Sequence, residues 1–289
     1  MKPVRKAIFP VAGFGTRFLP ATKAVPKEML PVVDRPLIQY AVDEARAAGI
    51  EQMIFVTGRN KYAIEDYFDS AYEIETDLAA KNKTEFLERL EATRLAPGKA
   101  AFVRQQQMLG LGHAVACARA LVGDEPFAVL LPDELLWNAA NPCLKQMVGT
   151  YERKGGNVVA VLEVPEDQTH KYGIVDPGTS EGAVTEIRRM IEKPTAGTAP
   201  SRLAIVGRYI LQPEIFDLLD RNERGAGGEI QLTDAMAKLI GVQPFHAQTF
   251  DGERHDCGDN AGFIQANIAL ALERPEIADS VRAFIRTLV

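Results

Sequence analysis

Short apolar runs alternate with longer amphipathic stretches through the first half of the chain. Four of the apolar runs have the length of a β-strand, at 6–12, 52–57, 101–104 and 127–131. Three of the stretches between them carry apolar residues at helical spacing, at 36–48, 61–68 and 112–121. This alternation predicts an α/β fold in which a mostly parallel sheet has helices on both faces. The charged segment 73–94 also has apolar residues at helical spacing and predicts an inserted pair of surface helices.

The pattern changes after about residue 155, where strand-like runs follow one another without long helices between them. These runs lie at 157–162, 173–176, 184–187 and 203–210, and helical patterns return at 213–219, 231–239, 260–272 and 276–288. A β-rich part is therefore expected to pack against the first half. No repeat and no Pro/Gly/Ser-rich linker interrupts the chain. The sequence predicts a single domain over 1–289, with parts at 1–155, 156–260 and 261–289.

Charge is unevenly distributed along the chain. The 289 residues include 33 Lys and Arg against 39 Asp and Glu, for a formal net charge of −6, which argues against a general nucleic-acid binder. Residues 1–30 nevertheless carry six basic side chains and one acidic one, a net charge of +5. This cluster of positive charge lies beside a glycine loop and indicates an anionic small-molecule partner.

The cysteines and the N-terminus favour a cytoplasmic protein. Cys117, Cys143 and Cys257 lie far apart without CxxC spacing, so neither a disulfide framework nor a zinc site is expected. The apolar stretch after the first basic residues is broken by Pro10 and Gly13, unlike the core of a signal peptide. No apolar run approaches the roughly 20 residues that a membrane helix needs. We therefore expect no contact with a membrane.

The segment 13–31 carries the strongest chemical signal. It leaves a predicted strand and enters a long loop that contains two glycines and three cations, namely Gly13, Gly15, Arg17, Lys23 and Lys27. Glycines allow close approach of the backbone to a ligand, and free N–H groups beside cations suit a polyphosphate. The loop is not a Walker A motif, because no Gly-Lys-Ser/Thr follows. A dinucleotide-binding fingerprint would need a third glycine where this chain has Phe18.

The pattern GxGTRxxPxTxxxPKxxxP runs from Gly13 to Pro31 and resembles the signature of the sugar-1-phosphate nucleotidylyltransferases. Further matches follow in order up to residue 260, so the resemblance covers nearly the whole chain. It implies a Rossmann-like, mostly parallel or mixed sheet flanked by helices, with a nucleotide-binding half at 1–155 and a β-rich sugar-binding half. Carried over by position, it implies nucleotide binding by Ala12, Gly13, Gly15 and Thr16 and catalytic roles for Arg17 and Lys27.

A second motif, Gln105 to Ala114, follows a predicted strand and opens a helix. The resemblance points to Gln107 and Gly112 as the residues that contact the base. A side-chain amide together with a backbone group suits a uracil edge, which offers two carbonyl acceptors and one N–H. From the residues alone, an alternative is that the glycines of this motif only shape a turn.

Two aspartates are candidate metal ligands. Asp133 ends a predicted buried strand, where ligands of open α/β sheets collect, and an aspartate there suits Mg²⁺. An isolated Asp at such a place is also a common helix N-cap. Asp256 matches the second metal aspartate of the family. The first family motif usually has two aspartates, and here the second is Glu134.

Three short motifs in the β-rich half resemble the sugar-phosphate site of the family. The resemblance implies that Lys193 holds the sugar phosphate and that Glu192 accepts sugar hydroxyls. From the residues alone, these segments also suit a solvated strand end or core positions. The full set of implied sugar-phosphate residues is Tyr172, Gly173, Glu192, Lys193, Val206 and Tyr209.

The resemblance implies a Mg²⁺-dependent in-line attack of glucose 1-phosphate on the α-phosphorus of UTP, which gives UDP-glucose and pyrophosphate. A thymidylyltransferase that uses dTTP, and a catalytically silent regulatory subunit that binds a nucleotide sugar, remain alternatives. A dehydrogenase would need the missing dinucleotide fingerprint. The family also implies a homodimer or homotetramer, with an interface at 73–94 or at the C-terminal helices.

Overall fold

A nine-stranded mixed sheet forms the centre of the structure, a computed structural model that describes residues 1–288. The strands are β1 (Lys6–Val11), β2 (Pro31–Val32), β3 (Arg35–Pro36), β4 (Gln52–Thr57), β5 (Ala100–Arg104), β6 (Phe127–Leu130), β7 (Glu134–Trp137), β8 (Asn157–Glu163), β9 (Gly173–Glu181), β10 (Val184–Glu192), β11 (Leu203–Leu211), β12 (Phe245–Thr249) and β13 (Glu253–Asp256). Across the sheet the order is β5-β4-β1-β6-β11-β8-β12-β10-β9. The other strands form two separate pairs, β2 with β3 and β7 with β13.

Helices cover both faces of this sheet. They are α1 (Leu37–Ala47), α2 (Tyr62–Tyr67), α3 (Tyr72–Ala80), α4 (Thr84–Thr93), α5 (Leu111–Ala116), α6 (Arg119–Val122), α7 (Cys143–Lys154), α8 (Ile215–Leu219), α9 (Leu232–Leu239), α10 (Asn260–Leu272) and α11 (Ala278–Ile285). Five short 3-10 helices occur at Thr16–Phe18, Ala21–Lys23, Lys27–Met29, Glu166–Lys171 and Ala226–Gly228. Among residues 1–288, no helix is both long and apolar enough to cross a membrane.

The strand directions confirm the predicted α/β fold with a mostly parallel first half. Strands β5, β4, β1 and β6 are parallel to one another. Strand β11 then runs antiparallel to both β6 and β8, and β9 with β10 forms an antiparallel hairpin at the far edge. The sheet is continuous across the first half and the β-rich part, so strands from both parts share one hydrogen-bonded layer.

Side chains on the two faces of the sheet form two large apolar clusters. Along β1, Ile8 belongs to one cluster, whereas Ala7 and Phe9 belong to the other. This follows from the two-residue period of a strand, and all three side chains are fully buried. Burial on both faces explains why the first strands are continuous apolar runs rather than alternating ones.

The inserted helices predicted at 73–94 are confirmed as α3 and α4, neither of which has a buried residue. The predicted helix 112–121 is instead divided by a turn at 117–118. Helix α7 was not predicted, although Leu144, Met147 and Tyr151 are buried at helical spacing. Strand β12 was also missed, because its sequence FHAQT lacks an apolar run and becomes a strand by pairing with β8 and β10.

A buried ion pair joins β11 to α1. The Nε and Nη2 atoms of Arg208 donate to the carboxylate of Glu44 at 2.9–3.2 Å. Their side chains are only 2% and 6% exposed, respectively. Glu44 Oε1 also accepts a hydrogen bond from the backbone N–H of Leu144, in the first turn of α7. One carboxylate therefore fixes two helices relative to the sheet.

The same guanidinium holds the turn after β6. Arg208 Nη1 donates to the carbonyl oxygen of Leu131, and Nη2 donates to that of Glu134, both at 2.9 Å. Asp133 lies between these two carbonyls. The ion pair therefore fixes the backbone on both sides of a candidate metal ligand.

We predict that Arg208→Met lowers the free energy of unfolding by about 3–5 kcal/mol, because Glu44 is left buried without its counter-charge. Urea denaturation measures this loss. The double variant Arg208→Met/Glu44→Leu should be more stable than Arg208→Met alone. Arg189, 68% exposed in its pair with Asp176, is the matched control, and Arg189→Met should cost less than about 1 kcal/mol. Equal losses at the two arginines would contradict a structural role for the buried pair.

We also predict that His246 makes the fold sensitive to acid. Burial, followed by the positive charge of Lys154, lowers the pKa of His246 below its ordinary value. The unfolded chain therefore takes up this proton more readily, so the stability is fully present above about pH 6.5 and is lost as the pH falls through the folded pKa. His246→Gln should reduce the fall in melting temperature between pH 7 and 5, whereas substitution of the exposed His170 by Gln should not. Identical pH profiles for both variants would contradict this assignment.

Candidate active site

The predicted site residues of the first half meet at one edge of the sheet. Because β1, β4 and β6 are parallel, the segments that follow them, 12–30, 58–61 and 131–134, lie at the same edge. The segment after β5, which contains Gln105, lies beside them. The order of strands thus brings the glycine loop, the base motif and Asp133 together.

The glycine loop folds back on itself through three short 3-10 helices. Gly15 has φ +65°, and a Cβ atom at this position would lie 3.1 Å from the Cβ of Lys27. The hydroxyl of Thr22 donates to the carbonyl oxygen of Gly15 at 2.8 Å. Gly15 is therefore needed both for its left-handed conformation and for its close contact with the segment that carries Lys27.

A buried ion pair supports the loop from behind. Glu28 is 1% exposed, and its Oε2 accepts a hydrogen bond from Lys61 Nζ at 2.7 Å. Lys61 lies just before α2, at the end of the segment that follows β4. Glu28 therefore anchors the short helix Lys27–Met29 and leaves Lys27 directed toward the cleft. The sequence analysis did not identify this pair.

Lys27 contacts the first candidate metal ligand. Its Nζ lies 2.6 Å from Asp133 Oδ2, and both side chains are partly exposed. Burial by itself raises the pKa of Asp133, but the charge and hydrogen bond of Lys27 outweigh it, and the pKa is lowered. Burial likewise lowers the pKa of Lys27, but Asp133 and Glu28 outweigh that effect, and the pKa is raised. Each partner thus stabilises the charged form of the other.

The two candidate metal aspartates are brought together by the small sheet of β7 and β13. Asp256 pairs with Glu134 in this sheet, and the backbone N–H of Cys257 donates to the carbonyl oxygen of Asp133 at 2.8 Å. Gly258 lies between them. A Cβ atom on Gly258 would lie 2.9 Å from Asp256 Oδ1 and 3.7 Å from Asp133 Oδ2. A glycine here leaves a small space that is bordered by both carboxylates.

Arg17 borders the same space. Its Nη1 lies 3.3 Å from the position of a Cβ on Gly258 and donates to the carbonyl oxygen of Gly258, also at 3.3 Å. The loop is held there partly by contact between the rings of Phe18 and Phe263 on α10. Residues separated by more than 240 positions in the chain therefore share this corner of the cleft.

Arg254 is a member of the site that the sequence analysis missed. It donates from Nε and Nη2 to Glu134 at 2.7 and 2.8 Å, and its Nη2 lies 3.4 Å from Asp256 Oδ2. Its guanidinium also lies over the ring of Tyr172, 5.1 Å from the centroid. The available signal was its position two residues before Asp256. Arg254 thus links the acidic corner to the predicted sugar side.

The β-rich half contributes four of the predicted sugar-phosphate residues to this side of the cleft. Gly173 pairs with Glu192 across β9 and β10, and a Cβ on Gly173 would lie 3.1 Å from Glu192 Oε2. Lys193 follows with φ 46°, and its backbone N–H donates to the carbonyl oxygen of Tyr172 at 3.0 Å. The Lys193 side chain is 49% exposed and its Nζ lies 3.7 Å from Glu192 Oε1, so the ammonium is held near that carboxylate and is accessible to an anion.

The last two predicted sugar-phosphate residues lie on opposite faces of β11. Gly207 lies between them with φ +68°, at a shift in the register of the strand. Tyr209 is 5% exposed in the cluster that contains Ile8, where burial, followed by the charge of Glu192, raises its pKa. The side chain of Val206 is fully buried in the cluster that contains Phe9. The Val206 side chain therefore does not line the cleft, and only its backbone is available for the predicted role.

A separate pocket lies between the glycine loop and α5. It is lined by Pro10, Ala12, Gly13, Phe14, Gln105, Met108, Gly110, Leu111, Ala114 and Glu229. The predicted base-reading residue Gln107 is exposed and lies outside this lining. Gln105 is 6% exposed and lines the pocket instead, because it directly follows β5, whereas the chain has left the sheet by Gln107. The sequence offered three consecutive glutamines without a means to choose among them.

Gly112 has a packing role. Its backbone N–H donates to the carbonyl oxygen of Ile230 at 2.8 Å, and a Cβ atom would lie 2.7 Å from the same oxygen. The N–H is thus already satisfied within the protein. Gly110, with φ +103°, is the glycine of this motif that lines the pocket.

Burial disfavours a nucleophilic role for Cys257. Its side chain is fully buried, and burial followed by the negative charge of Asp256 raises the pKa of the thiol to about 12. The thiolate is the reactive form of cysteine, so this group stays inert near neutral pH.

The donor set at the acidic corner suits a hard cation. Within residues 1–288, no three His, Cys, Asp or Glu side chains cluster as a complete metal site. Mg²⁺ does not require such a cluster, because it commonly uses one or two protein carboxylates and completes its shell with water and phosphate oxygens. Asp133 and Asp256, which border one small space, fit this requirement.

Comparison with known proteins is consistent with these arrangements. Residues 6–273 match the family model described as nucleotidyl transferase. The UTP–glucose-1-phosphate uridylyltransferase of Bacillus subtilis (strain 168) is 52% identical over 290 residues, covering 100% of this chain and 98% of the relative.

Two solved structures extend the similarity to the fold. A UTP-bound UGPase from Acinetobacter baumannii is 42% identical, with a TM-score of 0.91 over 99% of this chain and 100% of the other. A UDP-glucose pyrophosphorylase complexed with UDP-glucose is 46% identical, with a TM-score of 0.86 over 94% of this chain and 100% of the other. The chain therefore belongs to the nucleotidyl transferase family and, within it, to the UTP–glucose-1-phosphate uridylyltransferases.

Proposed function

We propose that this protein joins UTP and α-D-glucose 1-phosphate to form UDP-glucose and pyrophosphate. The observation that carries the proposal is the convergence of Arg17, Lys27, Asp133 and Asp256 on one corner of a cleft, with Glu192 and Lys193 on its other side. Full-length similarity to uridylyltransferases supports this choice of substrates.

The chemistry is an in-line attack of the sugar phosphate oxygen on the α-phosphorus of UTP. Because two anions must meet, the main tasks of the protein are positioning and charge neutralisation. Lys193, exposed on the sugar side, holds the attacking phosphate. Arg17 and Lys27 neutralise the triphosphate and the departing pyrophosphate. No covalent enzyme intermediate is required.

We propose that Asp133 and Asp256 hold the Mg²⁺ of this reaction. When bound, Mg²⁺ supplies charge neutralisation at the phosphate oxygens. Asp133 is already paired with Lys27, so the ammonium must shift from this carboxylate, and the triphosphate offers it other anionic partners. Glu134 is fully engaged by Arg254 and assists by holding that arginine beside Asp256.

The uracil base is assigned to the pocket lined by Ala12, Gly13 and Gln105. This places the base beside the glycine loop, from which the triphosphate extends toward Lys27. A catalytically silent subunit is disfavoured because all the proposed phosphate-binding cations are present and directed toward the cleft. Cytoplasmic location and a homodimer or homotetramer stay predictions.

We expect the purified protein to release pyrophosphate from UTP and glucose 1-phosphate in the presence of Mg²⁺, at a higher rate than with dTTP, CTP or GTP. Asp133→Asn should lower kcat by at least about 100-fold, since a single transition-state contact contributes about 3 kcal/mol. Lys171→Ala, which removes an exposed cation outside the proposed contacts, is the control for nonspecific effects. Faster turnover of dTTP than of UTP would identify dTTP as the substrate. Near-normal turnover by Asp133→Asn would contradict the role assigned to Asp133.

We predict that Gln105→Leu lowers kcat/KM for UTP by about 10- to 100-fold, because a buried hydrogen bond to the base is worth about 1–3 kcal/mol. Gln107→Leu, two positions away and exposed, should change kcat/KM less than twofold. Steady-state kinetics with varied UTP at saturating glucose 1-phosphate provide the measurement. The reverse order of effects would restore Gln107 as the base-reading residue.

A further inference from the structure

The pocket beside the glycine loop contains one buried side-chain amide. Gln105 is 6% exposed, and its backbone N–H donates to the carbonyl oxygen of Thr57 at 2.9 Å. The backbone is therefore fixed between the ends of two parallel strands. What the pocket recognises then depends on which end of the amide faces it.

The orientation of this amide is determined by a backbone carbonyl. Gln105 Nε2 lies 3.1 Å from the carbonyl oxygen of Gly110. A carbonyl oxygen can only accept a hydrogen bond, so the NH₂ group and not the oxygen of the amide must face it. The rotamer with oxygen and nitrogen exchanged would place two acceptors against each other.

A histidine ring receives the second hydrogen of the same NH₂ group. Gln105 Nε2 lies 3.0 Å from His113 Nδ1. Because this nitrogen is a donor, Nδ1 must be the acceptor, and the neutral ring therefore carries its proton on Nε2. His113 lies in the first turn of α5, whose start is fixed by the hydrogen bond from Gly112 N–H to the carbonyl oxygen of Ile230.

Both donors of the amide are thus used within the protein, and only an acceptor is left. Gln105 Oε1 accepts no hydrogen bond from any residue in 1–288. A ligand in this pocket therefore meets a carbonyl oxygen that requires a donor. Uracil carries an N–H at ring position 3, whereas cytosine carries an unprotonated acceptor nitrogen there.

We propose that His113 is a positioning residue that, with the carbonyl of Gly110, holds the Gln105 amide as an acceptor and so selects uracil over cytosine. The inference rests on the proposed function only in that it takes a pyrimidine nucleotide as the occupant of this pocket. Two acceptors facing each other in a buried site strongly disfavour the wrong base. Without His113, one amide hydrogen has no partner and only the carbonyl of Gly110 holds the orientation, so the flipped amide, which offers an N–H to cytosine, is less strongly disfavoured.

The first test compares two substitutions of the histidine. In His113→Asn, the side-chain carbonyl replaces the Nδ1 acceptor and should preserve the ratio of kcat/KM for UTP to kcat/KM for CTP. In His113→Leu the acceptor is lost, and the ratio should fall about tenfold or more. The change should appear in KM, with kcat for saturating UTP nearly unchanged, because the phosphates and the sugar are bound elsewhere. Calorimetric binding of UTP and CTP without sugar phosphate should show the same change in preference.

The second test needs no substitution. Long-range ¹H–¹⁵N correlation spectra of the histidine rings in the wild-type protein report the tautomer directly. The proposal requires the His113 ring to carry its proton on Nε2 and none on Nδ1. Assignment uses the peak that disappears in His113→Asn. This measurement remains decisive if His113→Leu does not fold.

Three outcomes would overturn the proposal. They are a His113 ring with its proton on Nδ1, an unchanged UTP-to-CTP ratio in His113→Leu, or equal loss of both substrates in the Leu and Asn variants. The last would indicate a purely structural role. A wild-type protein that does not turn over UTP would instead refute the proposed function, while the tautomer would still report on the amide contact. The two failures are therefore distinguishable.

Discussion

The buried pair of Arg208 and Glu44 is the interaction on which the rest of the structure depends. Two opposite charges are stable in an apolar interior only when nearly every donor and acceptor has a partner. Here the partners are backbone groups at the end of β6, at β7 and at the start of α7, together with the carboxylate on α1. Because these groups must all keep their partners, the ion pair also fixes the positions of the segments that carry them. Among the segments that it fixes is the turn that carries Asp133.

The cleft extends the same principle to partly exposed charges. Asp133 has Lys27 as its partner, and Glu134 has Arg254, so the acidic corner holds its carboxylates together without strong mutual repulsion. Such pairs are weaker than the buried one, because solvent screens them and no apolar environment enforces them. That weakness suits the proposed function, in which an incoming cation and a triphosphate exchange partners with these groups. The strong pair supports the framework, and the weaker pairs are the ones to which the chemistry is assigned.

The comparison of prediction with structure shows which parts of the site could be read from the sequence. The glycine loop and the two aspartates were found because their residue types and order are distinctive, and the structure brings Arg17, Asp133 and Asp256 to one corner. Whether each acts as assigned is a matter for the proposed experiments. The structure places Gln107 outside the pocket and buries the side chain of Val206, and the two outcomes have a common reason. Which of several neighbouring residues enters a pocket depends on where a strand ends and which way its side chains alternate, and a single register position changes the answer.

Arg254, Lys61 and His113 were given no role from the sequence. Each works through a partner that is 8 to 120 positions away in the chain. Nothing in their local sequence indicates that partner. The sequence by itself determined the α/β pattern, because the periodicity of apolar residues reflects local backbone geometry. It also determined the family, because the family motifs are recognised from the order of residues along the chain. Only the tertiary structure decided which amide lines the pocket beside the glycine loop and which cations meet the carboxylates, because these depend on how the ends of separate strands come together.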